Sequence, residues 1–392
     1  MKRKAILMTW FREPNYGTLL QCDATVRLLK ARYNIDVDIP NYIPIGKRDV
    51  ISIIKKVFSI RTWKRQLRIA KGKKEQQKAK TGFEEKHAMV EQFIKHYSYA
   101  LNGKLIRYDS DFKALVEQYS VFISGSDQIW NSDFLNERYL LDFVPESKQC
   151  ISVASSVSKK SIEPEYEPIY KKHLKKYKGI SVREGDYIEQ LEALSGLKVF
   201  QVLDPTIMLG ADQWKSLMCE RHKSEYLLTY ILGVSELVRE QAIKVSEKYN
   251  KPLYFFPHMD GMYTKADEMM ERKGIPLWGE DPYAWIGWIY DADLIITDSF
   301  HMTVFSIMLH KNFYVVPKEI NATSQNNRIL NILNVVDLAD RFIPIQKLSA
   351  AVSDTCTIDW ERVDAKLAHE RERSLNNLDC VVDTIDWSAV DG

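Results

Sequence analysis

Short runs of apolar residues alternate along the chain with longer segments in which apolar residues recur at helical spacing. The runs are too short for helices, and their apolar continuity is typical of strands buried on both faces of a parallel sheet. In the first half, the predicted strands are Lys4–Thr9, Ser120–Ser124, Cys150–Ser155, Gly179–Val182 and Lys198–Leu203. In the second half, they are Tyr226–Leu232, Leu253–Phe256, Asp293–Thr297 and Phe313–Val316. This alternation predicts an α/β protein.

The intervening segments predict both the helices and the domain organisation. The helices predicted next to these strands are Thr18–Tyr33, Glu236–Tyr249, Asp281–Asp291 and His301–Leu309. Because the strand–helix alternation occurs twice, we expect two Rossmann-like domains facing a central cleft, with the ligand at the carboxyl ends of the strands. Asp204-Pro205 interrupts the pattern. We therefore predict an N-terminal domain over residues 1–205, a C-terminal domain over 206–350 and an acidic helical tail over 351–392 that packs back on the N-terminal domain.

Composition indicates a folded protein and argues against several other classes. Of the 392 residues, 45% are hydrophobic and 28% are charged, which is ordinary globular usage. The formal net charge of +2 disfavours a dedicated nucleic-acid binder. The five cysteines are scattered without a CxxC pair, and the eight histidines show no metal-ligand spacing. We therefore expect neither a disulfide framework nor a metal site.

The N-terminus and the hydropathy of the chain predict a cytoplasmic location. The first apolar run, residues 5–10, is short and is followed closely by Arg12 and Glu13, unlike a signal peptide. No apolar run reaches the length of about 18 residues that a membrane-spanning helix needs.

The near-zero net charge conceals a strongly basic segment. Residues 47–80 hold 13 Lys and Arg against Asp49 and Glu75, a net charge of +11, with apolar residues interleaved. A basic amphipathic segment of this kind can lie on an anionic membrane surface. We therefore expect peripheral contact with the inner membrane face through residues 50–75. The alternative is a solvated helical insertion, since the whole of 47–98 is charged and compatible with helix.

Candidate chemistry is concentrated where the predicted strands end. In DLIITDSFHMTVFSIML, residues 293–309, a buried strand is followed by Asp298 and Ser299, either of which can cap the next helix. His301 then lies in the first helical turn, where unpaired N–H groups favour an anion. A histidine there can bind phosphate or act as a general acid. The alternative is a structural histidine at a helix start.

A second candidate lies in GISVREGDYIEQL, residues 179–191. Its short strand delivers Arg183 at the carboxyl end, and arginine is suited to bidentate capture of carboxylate or phosphate. An ordinary surface arginine paired with Glu184 or Asp186 remains the alternative.

A third candidate lies in VFISGSDQIWN, residues 121–131. Gly125 and Ser126 allow close backbone approach, and Asp127 follows directly as a candidate general base toward a hydroxyl. The alternative is that Asp127 is a helix N-cap.

Weaker candidates occur elsewhere. In NYGTLLQ, residues 15–21, Asn15 and Gly17 precede or open a helix and can line a ligand cleft, but GxGxxG and GxxxxGK[ST] are both absent. Arg328 opens a predicted amphipathic helix and Arg341 follows it, so either can reach the cleft. The alternative for both is a solvated or ion-paired arginine.

Taken in order, five segments resemble the polysaccharide pyruvyl transferase family. They are NYGTLLQ, SGSDQIWN, SVREGDYIEQL, VLDPTIML with a later tryptophan, and TDSFHMTVFSIML, spread over about residues 5–345. The resemblance implies a GT-B-like fold and transfer of pyruvyl from phosphoenolpyruvate to a sugar as a ketal, with release of phosphate. It also implies that Arg183 binds the phosphoenolpyruvate anion and that His301 is an acid/base or phosphate ligand. The chain departs from some members at Ser299-Phe300, where they have Arg-Leu, and from many at Ser124-Gly125-Ser126-Asp127, where they have a Gly-Gly-Gly-Asp type turn.

The sequence-based functional hypothesis is therefore a pyruvyl transferase of cell-surface polysaccharide synthesis. His301 and Asp127 are its expected catalytic residues, and Arg183, Ser299, Arg328, Asn15, Gly17 and Ser126 its expected substrate-binding residues. Phosphoenolpyruvate is the expected donor substrate, no separate cofactor or metal is expected, and the acceptor is a sugar or glycan, including a lipid-linked precursor. Two alternatives are a GT-B glycosyltransferase that uses a nucleotide sugar and a catalytically silent binding protein.

Overall fold

The strands form two parallel sheets in the computed structural model, which describes residues 3–43, 80–219, 225–257, 265–318, 323–353 and 355–388. The N-terminal sheet has the order β2-β1-β3-β4-β5-β6 and the C-terminal sheet the order β11-β10-β7-β8-β9. The first comprises β1 (Arg3–Met8), β2 (Ile35–Asp38), β3 (Val121–Ser124), β4 (Gln149–Ser155), β5 (Tyr177–Val182) and β6 (Val199–Gln201). The second comprises β7 (Leu227–Tyr230), β8 (Leu253–Phe256), β9 (Ile275–Pro276), β10 (Leu294–Thr297) and β11 (Phe313–Val315). The α/β prediction is confirmed.

Helices connect the strands and cover the sheets. In the N-terminal half they are α1 (Tyr16–Tyr33), α2 (Lys80–Phe93), α3 (Asp109–Gln118), α4 (Glu167–Leu174), α5 (Ile188–Ser195), α6 (Pro205–Leu209) and α7 (Ala211–Leu217). In the C-terminal half they are α8 (Glu236–Tyr249), α9 (Lys265–Glu271), α10 (Pro282–Asp291), α11 (Phe300–Met308), α12 (Thr323–Val335), α13 (Leu348–Ala351) and α14 (Trp360–Val382). The chain passes from one sheet to the other between Gln201 and Leu227. Within the described part of the chain, no helix is long and apolar enough to cross a membrane.

Helix α1 joins the two halves of the molecule. It packs against α6 on the N-terminal side and against α10 and α11 on the C-terminal side. At its first turn the ring of Tyr16 stacks on Trp285 of α10, with centroids 5.4 Å apart, and meets Phe256 edge-on at 5.2 Å. Both halves therefore contribute to one continuous apolar core at their junction. The first turn of α1 is fixed at the edge of the cleft between them.

The C-terminal helix α14 lies on the N-terminal sheet. Its Asp359 caps the first turn by accepting from the Arg362 N–H at 3.1 Å. Farther along, Ser374 Oγ accepts from the Leu203 N–H at 3.0 Å, and Asn377 Nδ2 donates to the Gln201 carbonyl at 2.8 Å. The helix thereby supplies partners to the backbone that leaves β6.

Two strands were not predicted, and one predicted feature falls outside the described residues. Ile35–Asp38 forms β2 although two of its four residues are aspartates, and Ile275–Pro276 forms only a two-residue edge strand. The basic segment 47–80 lies outside the described residues except for Lys80, which opens α2.

Candidate active site

A cleft of about 450 Å³ lies at the carboxyl ends of the two sheets. Its walls come from the loops after β1, β3, β7, β10 and β11 and from helices α1, α11 and α12. The lining includes Asn15, Asp127, Ser299, His301, Lys318 and Arg328. A ligand is expected at this edge in doubly wound α/β folds, because loops and helix N-termini converge there.

Asp204 joins Arg183 to His301 at the base of the cleft. Arg183 Nη1 lies 2.7 Å from Asp204 Oδ2, and His301 Nε2 lies 3.5 Å from the same oxygen. The other oxygen, Oδ1, accepts from the Thr206 N–H at 2.9 Å and from the Thr206 hydroxyl at 2.7 Å, which caps α6. Burial opposes ionisation of this carboxyl, but Arg183 and His301 outweigh burial and hold its pKa well below the usual 3.8. Asp204 is therefore a buried anion at neutral pH.

Asp127 is the second buried carboxylate of the site. Its Oδ2 accepts from the Thr18 hydroxyl at 3.3 Å, and its Oδ1 lies 3.5 Å from Arg183 Nη1 and 3.9 Å from Arg328 Nη1. Arg183 Nη2 also donates to Ser126 Oγ at 2.5 Å. Asp127 has φ +79° and caps no helix, since the next helical turn, Ser132–Phe134, is capped by Asn131. The N-cap interpretation of Asp127 is therefore wrong, and its carboxylate is aimed at the cleft instead.

The ring of His301 lies against the first turn of α1. A Cβ atom placed on Gly17 would fall 2.0 Å from His301 Nδ1, so a residue without a side chain is required here. Asn15 caps α1 by accepting from the Thr18 N–H at 3.3 Å. The N-terminal turns of α1 and α11 therefore meet at the imidazole, and each directs unpaired backbone N–H groups toward this end of the cleft.

The turn between β10 and α11 contains two polar residues, which make different hydrogen bonds. Ser299 caps α11 by accepting from the Met302 N–H at 3.4 Å. Asp298 instead accepts from the N–H groups of Leu232 and Gly233, at 2.6 and 2.7 Å, and so anchors the loop after β7. Burial raises the pKa of Asp298, although Lys318 and those two N–H groups favour its charged form.

The three arginines predicted from the sequence as candidate ligand-binding residues lie in different environments. Arg328 lines the cleft, where its guanidinium lies 5.4 Å from the ring centre of Phe300. Its Nε and Nη1 atoms have no hydrogen-bond partner among the described residues, and burial lowers its pKa. Arg341 lies elsewhere, with Nη1 donating to Asn312 Oδ1 at 3.3 Å, so it is a structural residue. Arg183 lies behind the cleft wall, between the two carboxylates.

The predicted site residues thus gather around one cleft in two layers. Those that line it are Asn15, Asp127, Ser299, His301 and Arg328. Those directly behind it are Gly17, Ser126 and Arg183. Sequence reasoning missed Asp204 and Lys318. Asp204-Pro205 is a helix-start signal, with an N-cap followed by proline at the first helical position, and it lies in the family segment VLDPTIML, but no role in the site was predicted for it from the sequence. Lys318 follows the last strand without a motif.

Solved structures show which fold this architecture belongs to. The chain superposes on S. aureus MnaA, in a structure with UDP, with a TM-score of 0.52 at 11% identity over 98% of both chains. A Listeria monocytogenes protein described as a UDP-N-acetylglucosamine 2-epimerase gives a TM-score of 0.51 at 10% identity, again over 98% of both chains. Identities this low show the fold alone, and the predicted GT-B-like arrangement of two Rossmann-like domains is confirmed.

Sequence comparison places the chain more narrowly. Comparison with curated proteins gives no match. The family model for polysaccharide pyruvyl transferase matches residues 15–317, a span that contains every predicted site residue except Arg328. The resemblance that the five ordered segments indicated is therefore confirmed, and the chain belongs to the polysaccharide pyruvyl transferase family.

Proposed function

We propose that this protein transfers a pyruvyl group from phosphoenolpyruvate to a sugar of a cell-surface polysaccharide or its lipid-linked precursor, as a ketal, with release of phosphate. The observation that carries the proposal is one cleft in which two cations, two helix N-terminal turns, an imidazole and a carboxylate converge. Family membership supports the reaction class, and the chemistry of the side chains supports the donor.

The cationic wall of the cleft suits a donor with two anionic groups. Phosphoenolpyruvate carries a phosphate and a carboxylate, and guanidinium and helix N-termini are good receptors for both. The Nε and Nη1 atoms of Arg328 are buried, and the carboxylate that it approaches is Asp127, at 3.9 Å. An anion bound beside Arg328 would supply the charge partner that burial makes favourable. Lys318 lines the same wall.

We assign His301 the supply of the first proton. Protonation of the methylene carbon of phosphoenolpyruvate makes C2 electrophilic, so that a sugar hydroxyl can add there. Because Nε2 faces the carboxylate of Asp204 at 3.5 Å, we assign the proton transfer to the other ring nitrogen, Nδ1. This assigns His301 the role of general acid.

We assign Asp127 the role of the base that takes protons from the acceptor. The first hydroxyl adds at C2 and loses its proton to a base, phosphate leaves, and a second hydroxyl closes the ketal. Across the reaction the methylene carbon gains one proton and the two hydroxyls lose two, so the second proton leaves with phosphate. Thr18 and Arg183 hold the Asp127 carboxylate in place. We assign Arg183 a positioning role, through its contacts with Asp127 and Asp204.

The proposal is tested by phosphate release. The full chain is incubated with phosphoenolpyruvate and a panel of sugar acceptors, and ketal formation is followed by mass and by the new methyl signal in the proton NMR spectrum. His301→Ala is expected to lower the rates of both by about 10²–10⁴-fold under saturating substrate. Nucleotide release from a sugar nucleotide, without phosphate release from phosphoenolpyruvate, would instead identify a glycosyltransferase.

A further inference from the structure

An aromatic wall at the mouth of the cleft takes no part in the chemistry proposed above. Trp10 and Phe134 line it, beside Gln128 and Asn136. The Phe134 side chain is 50% exposed. Within the described part of the chain, the other large hydrophobic side chains that are similarly exposed are Ile43, Tyr108 and Ile275, and none of them lines this cleft.

The loop that carries Phe134 is held by other residues, so its exposed ring is not needed for folding. Trp130 is fully buried and donates from Nε1 to Ser124 Oγ at 2.9 Å. Ser132 Oγ donates to Glu163 Oε2 at 2.6 Å, which ties the next turn to the neighbouring loop. The segment that leads into Phe134 is therefore fixed, and the Phe134 ring itself is exposed.

The second ring is fixed relative to the first. Trp10 meets Phe134 edge-to-face, with centroids 6.1 Å apart and planes at 73°. It also packs against the buried ring of Tyr139 at 6.4 Å and 83°. A preformed aromatic surface of this kind costs little side-chain entropy when it binds a ligand.

We propose that Trp10 and Phe134 form a stacking platform for a pyranose ring of the acceptor, an inference that rests on the proposed function. One face of a pyranose presents C–H bonds with partial positive charge, which pack favourably on the negative face of an aromatic ring. The side chains at the rim are fixed for hydroxyl recognition. Asn136 Nδ2 donates to the Tyr42 hydroxyl at 2.8 Å, and Gln128 Oε1 accepts from Asn131 Nδ2 at 3.3 Å.

The platform is joined directly to the proposed base. Thr9, which precedes Trp10, donates from Oγ1 to the Ser126 carbonyl at 3.2 Å, which links the loops after β1 and β3. Asp127 follows Ser126 and lines the same cleft. A sugar stacked on the platform would therefore present its hydroxyls toward the carboxylate that must deprotonate them.

Saturation-transfer NMR on the full chain with a panel of methyl pyranosides tests the platform directly. With the wild-type protein, we expect at least one pyranoside of the panel to bind. Its strongest saturation should then fall on the C–H protons of one face of the sugar ring. Phe134→Ala is expected to abolish that signal and Phe134→Tyr to retain it. Tyr108→Ala, which removes an aromatic ring that is 67% exposed outside the cleft, is the matched control and should change nothing.

A second measurement separates failure of the platform from failure of the proposed function. Calorimetry with phosphoenolpyruvate should give the same affinity for the wild type and Phe134→Ala. In the phosphate-release assay, Phe134→Ala should raise the acceptor KM by about tenfold with little change in kcat. If phosphoenolpyruvate does not bind, the proposed donor is wrong. The saturation-transfer experiment still tests the platform in that case, because it needs no donor. Equal saturation in the wild type and Phe134→Ala, or none in the wild type, would overturn the platform.

Discussion

Arg183 and His301 approach the same carboxylate oxygen from opposite domains. Arg183 follows β5 of the N-terminal sheet and lies 2.7 Å from Asp204 Oδ2, whereas His301 opens α11 of the C-terminal domain and lies 3.5 Å from it. The ionised state of Asp204 therefore depends on how the domains meet. A substitution at Asp204 should therefore change both the orientation of the His301 imidazole and the stability of the interface between the domains.

Asp204→Asn should reduce both activity and stability. The amide keeps the size of the side chain but leaves Arg183 without its closest anion and no longer fixes His301. We expect kcat for phosphate release to fall by about 10–100-fold. We expect the free energy of unfolding in denaturant to fall by roughly 3 kcal/mol. Asp212→Asn, an exposed change in α7, is the matched control. Full activity in Asp204→Asn would contradict the proposed orienting role.

The same residue predicts a specific acid response. Because the pKa of Asp204 is lowered in the folded state, its contribution to stability is present above the usual carboxyl pKa of 3.8 and is lost as the pH falls below it. The free energy of unfolding of the wild type should therefore fall more steeply below about pH 4 than that of Asp204→Asn. Denaturant titrations between neutral pH and pH 3 measure both slopes. Equal slopes would show that the carboxylate is not held ionised.

Gly17→Ala should disable the imidazole without unfolding α1. Alanine is the better helix former by about 1 kcal/mol, but its Cβ would fall 2.0 Å from His301 Nδ1 and must displace the ring. We expect kcat to fall by about 100-fold with thermal stability little changed. The control is a double-mutant cycle. In a His301→Ala background, where the ring is absent, Gly17→Ala should have no further effect on the residual rate. If the rate losses of the two single substitutions add in the double variant, Gly17 does not act through the His301 ring.

Strands could be predicted wherever their stabilisation is local. Apolar continuity identified β3 and β10, which are buried on both faces. Strand β2 was missed because its Asp38 is satisfied by residues distant along the chain. Asp38 accepts from the Tyr119 hydroxyl and pairs with Lys4 at 2.7 Å, contacts that no local pattern reveals. Propensity disfavours aspartate in a strand, and tertiary contacts override it here.

The candidate site was predicted where one residue type at a strand end suffices, and missed where a role depends on a partner. His301 and Asp127 follow strands directly, so their position alone suggested chemistry. The role of Asp204 exists only because residues 183 and 301 meet there, far from it along the chain. The exposure of Phe134 is likewise set by how the surrounding loop packs.

The basic segment retains its prediction of contact with anionic membranes. Its net charge of +11 over residues 47–80 should draw the full chain onto vesicles that contain anionic lipid. Co-sedimentation should weaken with added salt and be lost when the Lys and Arg of residues 61–74 are replaced by Glu. The same chain with neutral vesicles is the control. If the charge-reversed variant still binds anionic vesicles, the prediction is wrong.

Arg328 and Arg183 should respond in opposite ways to the same substitution. Arg328 lines the cleft with buried N–H groups that lack a hydrogen-bond partner in the described structure, so Arg328→Gln should leave the thermal midpoint equal or higher. It should weaken phosphoenolpyruvate binding about 10–100-fold, the effect of losing a charge-assisted hydrogen bond. Arg183→Gln leaves two buried carboxylates without their cation and should lower stability by roughly 3–5 kcal/mol. The thermal midpoint of each variant, measured with and without phosphoenolpyruvate, reports both its stability and its binding of phosphoenolpyruvate. Equal ligand protection in the wild type and Arg328→Gln would remove Arg328 from the anion site.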